Sequence, residues 1–498
     1  MGWNVSCRRR TGKAIQPVPD VTQVVDGAID KKRDDSEIGT QYIYMVTDSK
    51  PATGHGHTRR NAPRCAGGMK MHGMRGSIFS WGPWLSIVLM ISFLLSCGSE
   101  DPVSPEPPEP PEPVDQPALK IGLLIDLSAG GSEHGVLMRR GFEMAIEHVN
   151  EVGVLGEPVE GVVADTELDA ETAVSEAMDL IEDKGVHGIV GAWASSSTLA
   201  VVDEVVADAG IPMISPASSS PMLTTAMDND FLFRTTLSDL DQGPVLAKIT
   251  LESGYGNVGM IYRDDVWGRG IADAFEHAWE GKLIRVAADP EKTTLVAELR
   301  ESKGVLEDTQ ALIVLAFQPQ QETIVREALD LGLYDVFVFG PTGRSLDLIR
   351  SIGPEHLAGM IGTSPGSAQD TPSALAWDNG YNSLYGSNPP PFPYVKQTYD
   401  ATVALALAAQ AAGRLEGAAI RDQLRTIGRP PGELVIAEAG SIANGLRVLA
   451  DGGTINYEGA AMPLDWDENG DLATGFVAVW QFTQTGTIEV IRVVPFDH

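Results

Sequence analysis

Two kinds of apolar pattern alternate along most of this chain. Residues 118–126 form a nearly continuous apolar run, as expected of a strand buried on both faces of a parallel sheet. Residues 141–149 instead space their apolar positions for one face of a helix, which stops at Asn150. Further strands are predicted over 159–165, 187–191, 212–215, 257–262, 311–317 and 336–339. Helices fall between them, over 170–184, 199–209, 242–253, 271–279, 295–303 and 322–331. Alternation at this interval predicts an α/β fold of doubly wound parallel sheets with right-handed crossovers. From Tyr394 the pattern changes to one long alanine-rich helix over 394–412, a Gly- and Pro-rich stretch, and terminal strands over 475–482 and 488–494. No internal repeat is legible. An ordered part of about 380 residues exceeds one ordinary hydrophobic core, so two lobes are expected, with the chain crossing between them more than once.

Ahead of this body lies a different kind of sequence. Lys70 and Arg75 precede an apolar stretch over 85–95, interrupted only by Ser86 and Ser92, and then comes Cys97. Eleven residues rise about 16 Å as a helix, half a bilayer core, so the segment suits export better than permanent spanning. Leu94-Leu95-Ser96-Cys97 resembles the lipobox of bacterial lipoproteins, which implies a signal peptide over 69–97 and lipid attachment at Cys97. Residues 1–68, with Arg8-Arg9-Arg10 and Lys31-Lys32-Arg33, are read as a non-native or disordered extension. Residues 98–117 alternate prolines with Glu106, Glu109 and Glu112, an extended spacer that would hold a globular body away from a membrane.

Charge and cysteine content narrow the function classes. The chain holds 36 Lys+Arg and 68 Asp+Glu, and the part after Cys97 carries a net −38. Such a charge repels phosphate backbones, and nucleic acid is not an expected partner. Cys7, Cys65 and Cys97 are the only cysteines, so the folded part has neither disulfide nor thiolate metal site. No cofactor or metal is expected.

Candidate chemistry sits just after strands, where open parallel sheets bind ligands. Residues 127–135 form a polar Gly/Ser loop containing His134. Ala194-Ser195-Ser196-Ser197-Thr198 and Ser215-Pro216-Ala217-Ser218-Ser219-Ser220 are two hydroxyl-rich turns suited to cradling a carboxylate. Tyr262, Trp267 and Phe317 are candidate apolar walls. Enzyme motifs fail on inspection. In Gly362-Thr-Ser364-Pro365-Gly366 the residue after the serine lacks the N–H an oxyanion needs, so a plain loop is expected there. Gly254-Tyr-Gly256-Asn-Val-Gly259 precedes its strand where a dinucleotide fingerprint would follow it. Asp465–Asp471 begins like a calcium loop but has Phe476 where a bidentate glutamate belongs, and reads as an acidic hairpin turn.

Several of these segments, taken in order, resemble the type I periplasmic binding proteins, specifically the branched-chain amino-acid (leucine/isoleucine/valine) binders of ABC transporters. They include Gly141-Phe-Glu-Met-Ala-Ile-Glu-His-Val-Asn150, Ala194-Ser-Ser-Ser-Thr198, Gly210-Ile-Pro-Met-Ile-Ser-Pro-Ala217, Phe233-Arg-Thr-Thr236, Asp241-Gln-Gly243, Trp267-Gly268 and Tyr399-Asp-Ala401. The resemblance implies two Rossmann-like lobes joined by three crossover strands, lobe 1 being 118–236 plus 366–442 and lobe 2 being 237–365 plus 443–498. It places Ser195, Ala217, Ser218 and Ser219 on the ligand carboxylate, and His134, Trp267, Phe317 and Thr342 around the rest of the ligand. Thr342 departs from the family, whose amino-acid binders tend to have an acid there for the ammonium group. The ligand is then a carboxylate, amide or related solute unless another acid, such as Asp126 or Asp264, reaches in.

Together these readings imply a lipid-anchored, extracytoplasmic, non-enzymatic protein that closes two lobes on a small solute and passes it to ABC permease subunits. The alternative is a ligand-sensing lipoprotein that docks on a signalling receptor; a hydrolase on the same scaffold is disfavoured by Pro365.

Overall fold

The computed structural model of the chain describes residues 117–128, 132–304 and 309–497. The signal-like segment, Cys97 and the Pro/Glu spacer lie outside the described residues.

The first lobe grows from the apolar strand predicted at the start. β1 (Lys120–Ile125) is buried beyond its first residue and pairs in parallel with both β2 (Glu160–Asp165) and β3 (Gly188–Gly191). β4 (Met213–Ser215) and β5 (Leu232–Arg234) extend the sheet to the order β2-β1-β3-β4-β5. The second lobe repeats this layout with β6 (Asn257–Arg263), β7 (Lys282–Ala288), β8 (Ala311–Leu315), β9 (Phe337–Phe339) and β10 (Ile361–Pro365), in the order β7-β6-β8-β9-β10. An architectural repeat is therefore present without a sequence repeat: parallel pairing and right-handed crossovers constrain topology far more than they constrain side chains.

Between these sheets and the chain end lies a helical cap on the first lobe. Helix Val395–Ala412 is buried along nearly its whole length, and its small residues let it approach helix Ser132–Val149 so closely that a Cβ on Gly141 would fall 2.3 Å from the Val395 carbonyl. Helix Gly417–Ile427 packs beside it. β11 (Glu433–Ile436) and β12 (Ile455–Glu458) pair in parallel, flanked by helix Ala439–Ala450, which also packs on Val395–Ala412. Buried Asp400 fastens the next turn: its carboxylate accepts hydrogen bonds from Tyr457 Oη (2.9 Å), Ala460 N (2.7 Å) and Ala461 N (2.8 Å). Residues 443–462 thus pack with the first lobe. The expected return to the second lobe at 443 is displaced to β13 (Thr474–Phe482), because Ile442 and Leu446 are core residues of the cap. β13 and β14 (Ile488–Asp497) close the second sheet as an antiparallel hairpin on β10.

Two other local expectations change. Helix Ser132–Val149 begins inside the stretch read as a polar loop, and Gly135 makes this possible, since a Cβ there would collide with the Asp126 carbonyl at 1.8 Å. Residues 362–365 are strand, not loop: Ser364 lies in β10, opposite Ala478 of β13. Asp465–Asp471 is a turn, with Asp467 Oδ1 accepting from Asn469 N (2.8 Å) and Asp471 N (2.9 Å).

The lobes are joined at residues 235–238, 366–371 and 466–473, and these passages are tied to one another. Buried Arg234 donates through Nε to Asp471 Oδ1 (2.6 Å) and through Nη1 to Ser220 O (3.1 Å). Its backbone N–H reaches Gly470 O (2.9 Å), and its carbonyl accepts from Trp466 Nε1 (2.7 Å). Gly470 has φ +74°, and a Cβ there would meet Leu232 O at 2.2 Å, so the third passage can lie against the first only with glycine. Thr235 Oγ1 donates to Gln397 O (2.8 Å), and Gln397 Nε2 donates to Gly366 O (3.1 Å), which brings in the second passage.

Removing one member of a buried ion pair strands the other. Asp471→Ala should therefore lower unfolding stability by about 3 kcal/mol, read from urea denaturation followed by tryptophan fluorescence; a loss under about 1 kcal/mol would show that Arg234 is held by its other bonds.

Candidate ligand-binding cleft

Parallel pairing brings the carboxyl ends of both sheets to face each other, so the loops after β3 and β4 meet the loops after β6, β8 and β9. On the first lobe, Ser195 opens helix Ser195–Val201, and its Oγ accepts from Ser220 N at 3.2 Å. The neighbouring hydroxyls are largely spent on one another. Thr198 Oγ1 lies 2.8 Å from Ser218 Oγ and accepts from Ala192 N (3.1 Å). Ser218 Oγ lies 3.1 Å from Ala192 O, and Ser215 Oγ donates to that same carbonyl at 2.9 Å. Ser219 Oγ donates to Asp239 Oδ2 at 3.0 Å.

On the second lobe, Asp265 caps helix Val266–Ala278 by accepting from Gly268 N (2.8 Å), which fixes Trp267 at the cleft. Phe317 follows β8. Thr342 sits in the 3-10 turn Pro341–Gly343 after β9, and its one hydroxyl proton goes to Ala316 O at 2.7 Å.

The two half-sites meet through aromatic rings. Trp193 of the first lobe packs on Phe317 of the second, with centroids 4.8 Å apart, and Phe317 stacks on Trp267 at 4.6 Å. The Arg263 guanidinium covers Phe317 at 4.9 Å. A small cavity of about 10 Å³ is lined by Trp193, Ser195, Ala217, Trp267, Phe317, Pro341, Thr342 and Tyr394. A larger one of about 540 Å³ adjoins it at Trp193 and Thr342 and is lined by His134, Glu133 and Ser345 among others. Two hydrogen bonds also bridge the lobes, Ser345 Oγ to Glu133 Oε2 (2.7 Å) and Ser220 Oγ to Val266 O (3.1 Å).

Residues 118–447 match the periplasmic binding protein family. The chain belongs to that family. It is 28% identical over 337 residues to a leucine-, isoleucine-, valine-, threonine- and alanine-binding protein of Pseudomonas aeruginosa, covering 66% of this chain and 87% of that one. It is 26% identical over 390 residues to BasB, the substrate-binding protein of a chemotactic signal transduction system in Halobacterium salinarum, covering 74% and 87%. Among solved structures, a leucine-binding protein of Thermotoga maritima aligns with a TM-score of 0.64 at 24% identity, covering 76% of this chain and 99% of the other. An isoleucine complex of a Streptococcus pneumoniae substrate-binding protein aligns at 0.63 and 22%, covering 76% and 100%. These structures share the type I periplasmic binding protein fold.

In this periplasmic binding protein the fold gathers five of the eight expected ligand residues, Ser195, Ala217, Trp267, Phe317 and Thr342, around the inner cavity. His134 lines the outer one. Ser218 and Ser219 line neither; they brace the turn from behind. Asp126 and Asp264 are turned elsewhere. Asp126 Oδ1 accepts from Thr166 Oγ1 (2.5 Å), with burial pushing its carboxyl up to about 6, and Asp264 pairs with Arg269 (2.8 Å) at the surface. Tyr262 is covered by Arg285, 4.7 Å from the ring centre.

Sequence reasoning missed Trp193 and Tyr394. Trp193 was accessible as a large aromatic directly between β3 and the Ser/Thr turn. Tyr394 looked like the first residue of a helix, but it has φ +77°, a conformation a bulky side chain adopts only when its surroundings enforce it, and that backbone places its ring at the cavity.

The binding protein's His134 is buried between Trp193, Phe392 and Tyr394, and its Nε2 has no partner. Burial, helped by the positive charge of Arg344, lowers its pKa to about 4. Because the unfolded imidazole titrates near 6.5, acid protonates the unfolded chain first. This residue alone should therefore cost about 3 kcal/mol of stability as pH falls from 6.5 to 4. His134→Phe should remove that component, so that its stability relative to wild type rises through this window in denaturation series; a constant difference would refute the assignment.

Proposed function

We propose that this protein is the solute receptor of an ABC importer, tethered through Cys97 outside the cytoplasmic membrane, and that it holds one small carboxylate-bearing solute between its lobes. The reading rests on one observation: residues from the carboxyl ends of two sheets, hinged at shared passages, converge through the Trp193–Phe317 contact on an aromatic-walled cleft that is water-sized at its inner end and about 540 Å³ at its outer end. Family membership and the similarity to amino-acid-binding relatives support it.

Mechanistically, the first lobe supplies the polar grip. Ser195 Oγ and the backbone around Ala217 meet the solute, while Ser215, Thr198 and Ser218 hold those groups in place without touching it. Pre-arranged donors lose little freedom on binding, which favours affinity. The second lobe then lays Trp267 and Phe317 over the solute's apolar body, and the Glu133–Ser345 and Ser220–Val266 bonds close the mouth. No covalent step is required, and the closed form is what permease subunits would recognise.

A second reading, sensing, is favoured by one relative's place in a chemotactic system. Deleting the gene separates the two: loss of solute uptake with taxis intact marks an importer, and the reverse marks a sensor.

Ser195→Ala removes both a solute contact and the acceptor for Ser220 N. Calorimetric titration of the purified protein with its co-purifying solute should show affinity about tenfold weaker, near 1.4 kcal/mol; unchanged affinity would remove Ser195 from the site. Cys97→Ser should abolish fatty-acid labelling and release the protein from membranes.

A further inference from the structure

A buried cation stands at the hinge with its charge unmet. Arg344 follows the 3-10 turn Pro341–Gly343 on the second lobe and is 6% exposed. Its only hydrogen bond runs from Nη1 to Ser364 Oγ (3.1 Å), its Nε has no partner, and among the described residues it makes no ion pair. Ser364 Oγ gives its own proton to Pro365 O (3.2 Å), so it offers Arg344 a dipole and no charge. Burial pulls the Arg344 pKa down to about 10, which leaves it protonated at neutral pH. A cation held this way in a low-dielectric setting is costly unless an anion shares the space.

Such a space lies beside it. Arg344 lines a cavity of about 170 Å³ at the second passage, and this cavity shares no lining residue with either cavity of the cleft. One water occupies about 10–15 Å³ of such space, so a molecule of several heavy atoms fits. The second lobe contributes Arg344 and Pro365 together with Ala478, Val490 and Val493 of the terminal hairpin. The first lobe contributes Phe392, Lys396 and Trp377, the last from helix Pro372–Tyr385, with its ring packed on Tyr399 of the cap. Gln369, also on the wall, is exposed, which connects the cavity to solvent.

The buried polar groups left unmet on this wall are both donors. Beside Arg344 Nε stands Trp377 Nε1, on a fully buried ring and without a partner. Lys396 pairs with Asp378, the wall's one carboxylate, at 2.7 Å, so those charges cancel and the lining keeps the single positive charge of Arg344. Gln397 spends its amide N–H on Gly366 O (3.1 Å). Much of the rest of the wall is apolar, with Pro365, Pro390, Phe392, Val395, Val490 and Val493.

We propose that this hinge cavity is a second binding site, distinct from the cleft, and that it takes a short-chain monocarboxylate whose carboxylate group pairs with Arg344. One net positive charge matches a monoanion, and the proline, valine and phenylalanine side chains match a short hydrocarbon tail. A phosphate dianion would leave charge uncompensated against an apolar wall.

Charge and shape can be tested separately. Full-length protein saturated with its co-purifying solute, so that the cleft is filled, is titrated calorimetrically with butanoate, with the uncharged butanamide of the same shape, and with phosphate. Butanoate should bind saturably and about tenfold or more tighter than either. Arg344→Met should weaken butanoate about tenfold or more, and Arg344→Lys should restore part of the loss. In crystals soaked with 4-bromobutanoate the bromine should lie in the cavity lined by Arg344 and Trp377. Equal binding of butanoate and butanamide, or no saturable binding of butanoate by the wild-type protein, overturns the inference whether or not the variants fold, and leaves the cleft reading standing. Tightest binding of phosphate overturns the carboxylate assignment. Butanoate binding that Arg344→Met leaves unchanged, or bromine found only in the cleft, shows Arg344 to be no more than a brace for Ser364 and removes the site.

Discussion

A buried arginine at the junction of the lobes is the point on which this architecture turns. Arg234 ends the last strand of the first sheet, and its side chain and backbone together hold the third passage, at Asp471, Gly470 and Trp466, against the first. Its remaining donors reach Ser220 and Thr224, at the end of the second hydroxyl-rich turn. One side chain therefore fixes both where the lobes are joined and where the polar turn of the cleft ends. Since a guanidinium taken out of water must have its donors met, the packing tolerates few alternative arrangements there.

From that junction outward, the cleft follows from sheet geometry. Two parallel sheets of the same strand order present their carboxyl ends to each other, so short loops from distant parts of the chain become neighbours. The polar residues of those loops divide their work. Ser215, Thr198 and Ser218 satisfy one another and the backbone, which rigidifies the turn, while Ser195 and Ala217 face the cavity. Aromatic residues do the corresponding work between lobes: Trp193 on Phe317 supplies apolar contact that a hinge can make and break without leaving a charge stranded.

Electrostatics gives the site its chemical character. The protein as a whole is strongly acidic, yet no carboxylate lines the inner cavity, and those at the outer mouth are engaged, Glu133 by Ser345 and Asp347 by Arg350. His134 is kept neutral by burial and a nearby cation. Net charge thus describes how the molecule behaves in solution, whereas the cleft is governed by a few buried groups whose neighbours set their ionisation.

What the sequence determined by itself was carried by local, repeated signals. The apolar strands and amphipathic helices from Leu119 to Phe339 were legible because burial on one or two faces imposes a period on neighbouring residues. The two hydroxyl-rich turns were legible because their positions after strands follow from the fold class, and five of the eight residues named by the family resemblance lie around the inner cavity. Only the tertiary structure decided which hydroxyls face the cleft and which brace it, that Ser364 sits in a strand, and that Tyr394 breaks from its helix to face the cavity. It also decided that residues 443–462 pack with the first lobe, through Asp400 and the core of the cap. Each of these depends on partners dozens to hundreds of positions away, and no periodicity within a single segment records such a contact.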